Sequence, residues 1–159
     1  MNFFFDANMN FRYARMISAL CEDFHEIVHI TEHVDFIHNN QYSRNGRVCG
    51  NHTPDVEWIS SLGQSGKEWK IISGESDIID TAHERAELIK SRLTFFSMDH
   101  NWGKASAPEQ AWKLVKVWEQ LAKCAEVATP TLYRVRMGKQ LNIEVITGGH
   151  RARGGRFRT

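Results

Sequence analysis

Cysteine is scarce and poorly placed for cross-linking. The 159-residue chain has three, Cys21, Cys49 and Cys124, far apart and without a Cys-x-x-Cys pair. That argues against a disulfide framework or a zinc knuckle and fits a reducing compartment. No apolar run approaches the length needed to span a bilayer, so no membrane role is expected. Met1–Asp6 lacks the basic start and long apolar middle of a secretory leader, and a cytoplasmic location is expected. A phosphate-cradling Gly-Lys-Ser/Thr loop and a Ser/His/Asp order are also missing.

Acid is missing from the C-terminal stretch. Residues 147–159 carry Arg151, Arg153, Arg156 and Arg158 among glycines, with no Asp or Glu. The remaining body has 16 basic and 19 acidic residues, a net −3, although the whole chain is +1. The expected division is a domain over 1–146 and a basic Gly/Arg-rich tail over 147–159. Such a tail can touch RNA phosphates; a solvated, disordered terminus is the equally weighted reading.

What is present reads as alternating strands and helices. Asn2–Phe5 is a buried strand that stops at Asp6. Tyr13, Ile17, Leu20 and Phe24, with Ala14 and Cys21 beside them, follow the helical period. His25–Thr31 is rich in β-branched residues and suits a second strand. Strand, helix, strand in so short a span predicts a parallel, right-handed βαβ unit. His38–His52 reads as a long polar loop, ending at Thr53-Pro54, an N-cap and first helical position. That helix runs through Val56, Ile59 and Leu62 and ends near Gly63–Gly66.

Trp69–Ile72 and Leu93–Met98 are the next strands. Between them Thr81-Ala82-His83-Glu84 reads as a capping box opening a helix through Leu88 and Ile89. Ser106-Ala107-Pro108-Glu109 reads as another, opening the longest helix, with Ala111, Leu114, Val115, Trp118, Leu121, Ala122 and Ala125 on its apolar face. Leu132–Met137 and Leu141–Ile146 suit a closing hairpin. The fold class expected is α/β: an open, mostly parallel sheet flanked by helices.

In such sheets the site lies beyond the carboxyl ends of the strands. Asp6 and Asn8 follow the first strand, Ser73-Gly74-Glu75-Ser76-Asp77 the third, and Asp99 and His100 the fourth; Asp55 and Glu57 open the Thr53 helix. Carboxylates gathered at one edge repel unless a hard cation sits between them, and Mg²⁺ or Mn²⁺ prefers oxygen ligands. Each acid has a plainer reading. Asp55 suits a helix dipole, and Asp77 and Asp80 suit helix caps. Asp6, directly after a buried strand, is harder to explain without a partner. Arg85, in the next helix, suits either a phosphate contact or an ion pair along the helix. His25, His29 and His33 are four apart, but lie in strand-like surroundings and read as packed or solvated rather than metal ligands. Of Trp102, Trp112 and Trp118, core or interface packing is the preferred role, above all for Trp118, with base stacking the alternative.

The order of these segments resembles the PIN-like domain family. Phe3-Phe4-Phe5-Asp6-Ala7-Asn8 looks like the opening of PIN-like domains, whose first strand ends in an essential Asp. Thr53-Pro54-Asp55-Val56-Glu57-Trp58 resembles the motif in which an Asp near a helix start joins the site. Ile71-Ile72-Ser73-Gly74-Glu75 resembles the strand ending in Thr/Ser-x-Asp. His83-Glu84-Arg85-Ala86, Glu109–Val115 and Leu132-Tyr133-Arg134-Val135 are similar to the subgroup related to VapC-type toxins. The likeness covers roughly residues 1–137.

The resemblance implies metal-binding and catalytic roles for Asp6, Asp55 and Glu75. Position 75 is Glu where the family usually has Asp, so Asp77 substitutes for it or both contribute; Asp99 and Asn8 are further candidates. It implies a Mg²⁺- or Mn²⁺-dependent endoribonuclease, the toxin of a toxin–antitoxin pair, leaving a 5′-phosphate and a 3′-hydroxyl. The expected partners are RNA, held in part by Arg85 and the tail arginines, an inhibitory antitoxin protein, and a second copy of the chain as a homodimer. The alternative is a catalytically weak or inactive PIN-like module for binding or assembly, which Glu75 and the acidic body favour.

Overall fold

The computed structural model describes residues 1–21 and 25–146. Six strands form one sheet: β1 (Asn2–Phe5), β2 (Glu26–His29), β5 (Trp69–Ser73), β6 (Thr94–Met98), β7 (Leu132–Met137) and β8 (Leu141–Val145), in the order β2-β1-β5-β6-β7-β8. Every pair is parallel except β7–β8, the expected hairpin. The central strands are apolar on both faces because both are covered. On one face Phe3, Phe5, Ile72, Phe96 and Val135 pack under α1 (Phe11–Leu20) and α5 (Ala107–Ala125). On the other, Phe4, Ile71 and Phe95 pack under α2 (Asp55–Gln64) and α3 (Ala82–Lys90). The α/β architecture is the one expected. The tail arginines 151, 153, 156 and 158, and Phe24, lie outside the described residues.

Several local expectations are corrected. His38–His52 is not a plain loop: β3 (Asn40–Tyr42) and β4 (Val48–Asn51) pair antiparallel as a separate two-stranded ribbon. Its turn uses Gly46 at φ +72°, a left-handed conformation open to glycine at no steric cost. The second strand ends at His29, where the His29 ring caps a 3-10 turn over Ile30–Glu32. Helix α2 starts at Asp55 with Pro54 in the cap position, and Thr53 instead accepts a hydrogen bond from Asn39 Nδ2 at 3.0 Å. Thr81 and Ser106 do precede α3 and α5, but neither side chain makes a cap hydrogen bond, so the capping boxes are not formed. Thr81 Oγ1 donates to Asp77 O instead.

On α5 the buried face is Lys113, Leu114, Val117, Trp118, Leu121 and Ala125, while Val115 and Trp112 are exposed. Lys113 is accommodated on that face because its ammonium donates to Met137 O at 2.7 Å and pairs with Glu109 at 2.8 Å. A short helix, α4 (His100–Lys104), follows β6 and was not foreseen.

Candidate acidic site at the carboxyl edge

Strands β1 and β5 are hydrogen-bonded neighbours running the same way, so the residues just after them share one edge. Asp6 continues the ladder, its N–H donating to Ile72 O at 3.1 Å. Its side chain is buried, 1 % exposed. Oδ1 accepts from Asn8 N at 3.1 Å, while Oδ2 is buried with no hydrogen-bond partner. Burial pushes the Asp6 carboxyl up to about 7; the Asp55 charge adds to this, and hydrogen bonds from Ser73, Asn8 and Gly74 oppose it.

Glu75 is half-buried at the same edge. Asn8 Nδ2 donates to Glu75 Oε2 at 2.8 Å. The Glu75 carboxyl is raised by burial first, then by Asp55, Glu84 and Asp77, with the Asn8 bond opposing. Asp55 thus acts electrostatically on both Asp6 and Glu75. Its own Oδ1 accepts from Trp58 Nε1 at 2.8 Å, one turn along α2. Asp77 is exposed and accepts from Ser76 Oγ.

The two loops meet because of a glycine. A Cβ on Gly74 would lie 2.4 Å from Asn8 O, a backbone atom that cannot swing away. Ser73 and Ser97 complete the support: Ser73 Oγ accepts from Glu75 N at 3.1 Å, and Ser97 Oγ donates to Glu75 O at 2.9 Å.

Asp99 stands at the same edge, after β6, but its oxygens are committed. Oδ1 accepts from Asn101 N at 3.1 Å and Met137 N at 3.2 Å, and Oδ2 from Asn101 Nδ2 at 3.0 Å. Arg85 is half-buried on α3 and makes no ion pair with a helix neighbour among the described residues. Arg134 instead reaches the edge loop, near Asp80 at 3.4 Å. His29 is buried; Nδ1 accepts from Thr31 N, so Nε2 carries the proton and donates to Met9 O at 2.7 Å. Burial lowers its pKa, and it is a packed histidine. Trp102 and Trp118 are core residues.

The sequence does not mark Glu84 or Ser97 for this edge, and it shows Ser73 only as part of the segment after the third strand. Glu84 was legible only as a capping residue. Ser97 was legible only as a strand end, since its bond to Glu75 crosses between strands.

The donor chemistry fits a hard cation. It is all oxygen, and it includes a buried carboxylate oxygen with nothing donating to it. The side chains are not gathered into a closed shell: among the described residues no group of three or more His, Cys, Asp or Glu could hold a metal ion as placed. Among them, too, no helix is long and apolar enough to cross a membrane.

A family model described as "PIN like domain" matches residues 1–100, which takes in Asp6, Asn8, Asp55, Glu75, Asp77 and Asp99. No curated protein and no solved structure matches the chain.

Proposed function

Since the chain belongs to the PIN-like domain family, we propose that it is a nuclease: an endoribonuclease using the acidic edge of β1 and β5. One observation carries the reading: the buried, unpartnered Oδ2 of Asp6, under the charge of Asp55 and joined to Glu75 through Asn8. Burying a carboxylate oxygen without a donor is costly, and a fold keeps such a group where something else binds it.

Asp6, Asp55 and Glu75 would hold Mg²⁺ or Mn²⁺, with Asp77 beside them. Bound there, the ion supplies Lewis-acid stabilisation of a phosphodiester's departing 3′-oxygen and a lowered pKa for water. The chain's own residues do the positioning. The Asn8 N–H holds Oδ1 of the Asp6 carboxyl, and Ser73 and Gly74 favour its charged form. The Asn8 carboxamide aims Glu75, and Trp58 aims Asp55. Asp6 keeps its proton below about pH 7 and gives it up above, so cation binding there releases a proton and strengthens as pH rises.

The finer reading is a toxin of the VapC-related kind. RNA contacts are assigned to Arg85 and the tail arginines, and an antitoxin protein restrains the enzyme. The test is a gel of defined RNAs incubated with wild type or Asp6→Asn, in Mn²⁺ or chelator. Cleavage only by wild type with metal, leaving 5′-phosphate ends, is the expected result. Cleavage by Asp6→Asn at the wild-type rate overturns it.

A second reading is favoured by the open spacing of the acids: a PIN-like module that binds or assembles without cutting. Absence of cleavage in every divalent metal, with intact folding, selects it.

A further inference from the structure

The proposed site is acidic, and its substrate is a polyanion. The β3–β4 ribbon has the opposite character. His38–His52 holds Arg44, Arg47 and two histidines and no Asp or Glu. Arg44 and Arg47 flank the Asn45-Gly46 turn, both exposed, and neither guanidinium has an ion pair or hydrogen bond among the described residues. The turn is closed by the backbone of Ser43, Gly46 and Arg47, so the two charges are presented rather than used. Tyr42, beside them, is 60 % exposed.

The ribbon is tied to the site. Asn40 Nδ2 donates to Thr31 O, and Asn51 Nδ2 to Phe36 O and Asn40 Oδ1. Thr53 N donates to Asn51 Oδ1, two residues before Asp55. Under β4 lies a cavity of about 220 Å³, lined by Val48, Cys49 and Gly50 on one side and by Asn8, Phe11 and Thr31 on the other. Asn8 is the residue that holds Glu75. The cavity is smaller than the roughly 300–1,000 Å³ clefts that take drug-sized ligands and suits one planar ring. The Arg12 guanidinium lies over the ring of Phe11, one of the lining residues, 5.9 Å from its centroid.

We infer that the β3–β4 ribbon is a strand-gripping arm for single-stranded nucleic acid: Arg44 and Arg47 contact backbone phosphates, Tyr42 stacks on a base, and the cavity beside Asn8 takes an unpaired base. The arm offsets the repulsion between the acidic edge and the backbone and feeds the strand toward Asp6. Unpaired bases are what such a cavity admits; a duplex keeps its bases stacked inside. The inference rests on the nuclease reading only for what happens to the strand once bound.

The test is fluorescence anisotropy of the full chain with a labelled short single-stranded RNA in chelator, over a salt series. Single-stranded DNA and base-paired RNA of the same sequence are the other arms. Each phosphate contact to a single strand contributes about 0.7 to the slope of log affinity on log salt. Arg44→Ala with Arg47→Ala is expected to weaken binding on the order of tenfold and to flatten the slope by about 1.4. The paired lysine substitutions restore the slope. Tyr42→Ala weakens binding with the slope unchanged, and base-paired RNA binds more weakly than single strands. A preference for RNA over single-stranded DNA assigns RNA as the strand; equal binding supports the arm as a reader of the shared single-strand chemistry.

Thermal unfolding of the alanine pair should match wild type, since the tip is exposed. No binding by wild type, an unchanged slope in the folded alanine pair, or equal binding of the duplex overturns the arm. Cleavage in Mn²⁺ is scored separately. Strand binding through the arm without cleavage sinks the nuclease reading and leaves the arm standing. Cleavage with an unchanged slope does the reverse.

Discussion

At the scale of single residues, Asp6 is where the fold gives up stability. Its carboxyl titrates at 3.8 in an unperturbed chain and at about 7 in the folded one. A carboxyl raised on folding costs nothing below its unfolded pKa. The penalty grows as pH rises between the two values and is complete above the higher. At about 1.4 kcal/mol per pKa unit, ionised Asp6 costs on the order of 4 kcal/mol. Asp6→Asn removes the titration. In chelator the variant should therefore unfold at the wild-type temperature near pH 4 and several degrees higher near pH 8. Glu75 is raised too, but Asp6 is not among the causes of its shift, so its contribution cancels in the difference. Mn²⁺ should stabilise wild type, increasingly so above pH 7, and leave the variant unmoved. Thermal scans at several pH values, with and without Mn²⁺, check both; a variant-minus-wild-type difference flat across pH counts against the buried-acid account.

At the scale of elements, Asp99 looks in sequence just like Asp6: an acid directly after an apolar strand. The structure separates them. Asp99 caps α4 and accepts from Met137 N, so it ties the ends of β6 and β7 together. That distinction was not legible, because Met137 is far along the chain. Asp99→Ala removes a helix cap and leaves a buried N–H without an acceptor. It should cost about 2–3 kcal/mol in urea unfolding, while Mn²⁺ stabilisation persists because Asp6, Asp55 and Glu75 are untouched. Loss of the Mn²⁺ effect in a folded variant would move Asp99 into the site.

Other elements differed in how plainly they could be read. The central strands were legible because Phe3–Phe5, Ile71-Ile72 and Phe95-Phe96 are apolar on both faces, as a covered parallel sheet requires. The β3–β4 ribbon was not. Asn45-Gly46 carries the Asn-Gly hairpin signal, but Asn40–Tyr42 and Val48–Asn51 are too short and too polar to show alternation. The acids of the site were legible as residues after strands. Two supports that aim them, the Ser97 bond to Glu75 and the close approach of Gly74 to Asn8, depend on neighbours brought in by the sheet order.

At the scale of the whole molecule, a cytoplasmic ribonuclease would damage the cell that makes it, so the toxin reading requires an inhibitor. Helix α5 offers a surface for one. Its inner face is spent on the core, but Trp112 is 56 % and Val115 44 % exposed on the outside. Lys116 lies 4.9 Å above the Trp112 ring, which holds the indole against a charged neighbour rather than a packed one. Exposed tryptophan is the residue type most often found anchoring protein interfaces. Expression of wild type alone should slow growth, co-expression with the neighbouring reading frame should relieve it, and Asp6→Asn should be harmless alone. Trp112→Ala should stay toxic but escape relief, with roughly a tenfold or greater loss of partner affinity if the indole is a hot spot. The variant is informative because Trp112 lies outside both cores and, among the described residues, its side chain makes no hydrogen bond to the acidic edge, so RNA cleavage by the purified protein should match wild type. Relief of Trp112→Ala as complete as that of wild type would remove α5 as the docking face, and harmless expression of wild type would remove the toxin.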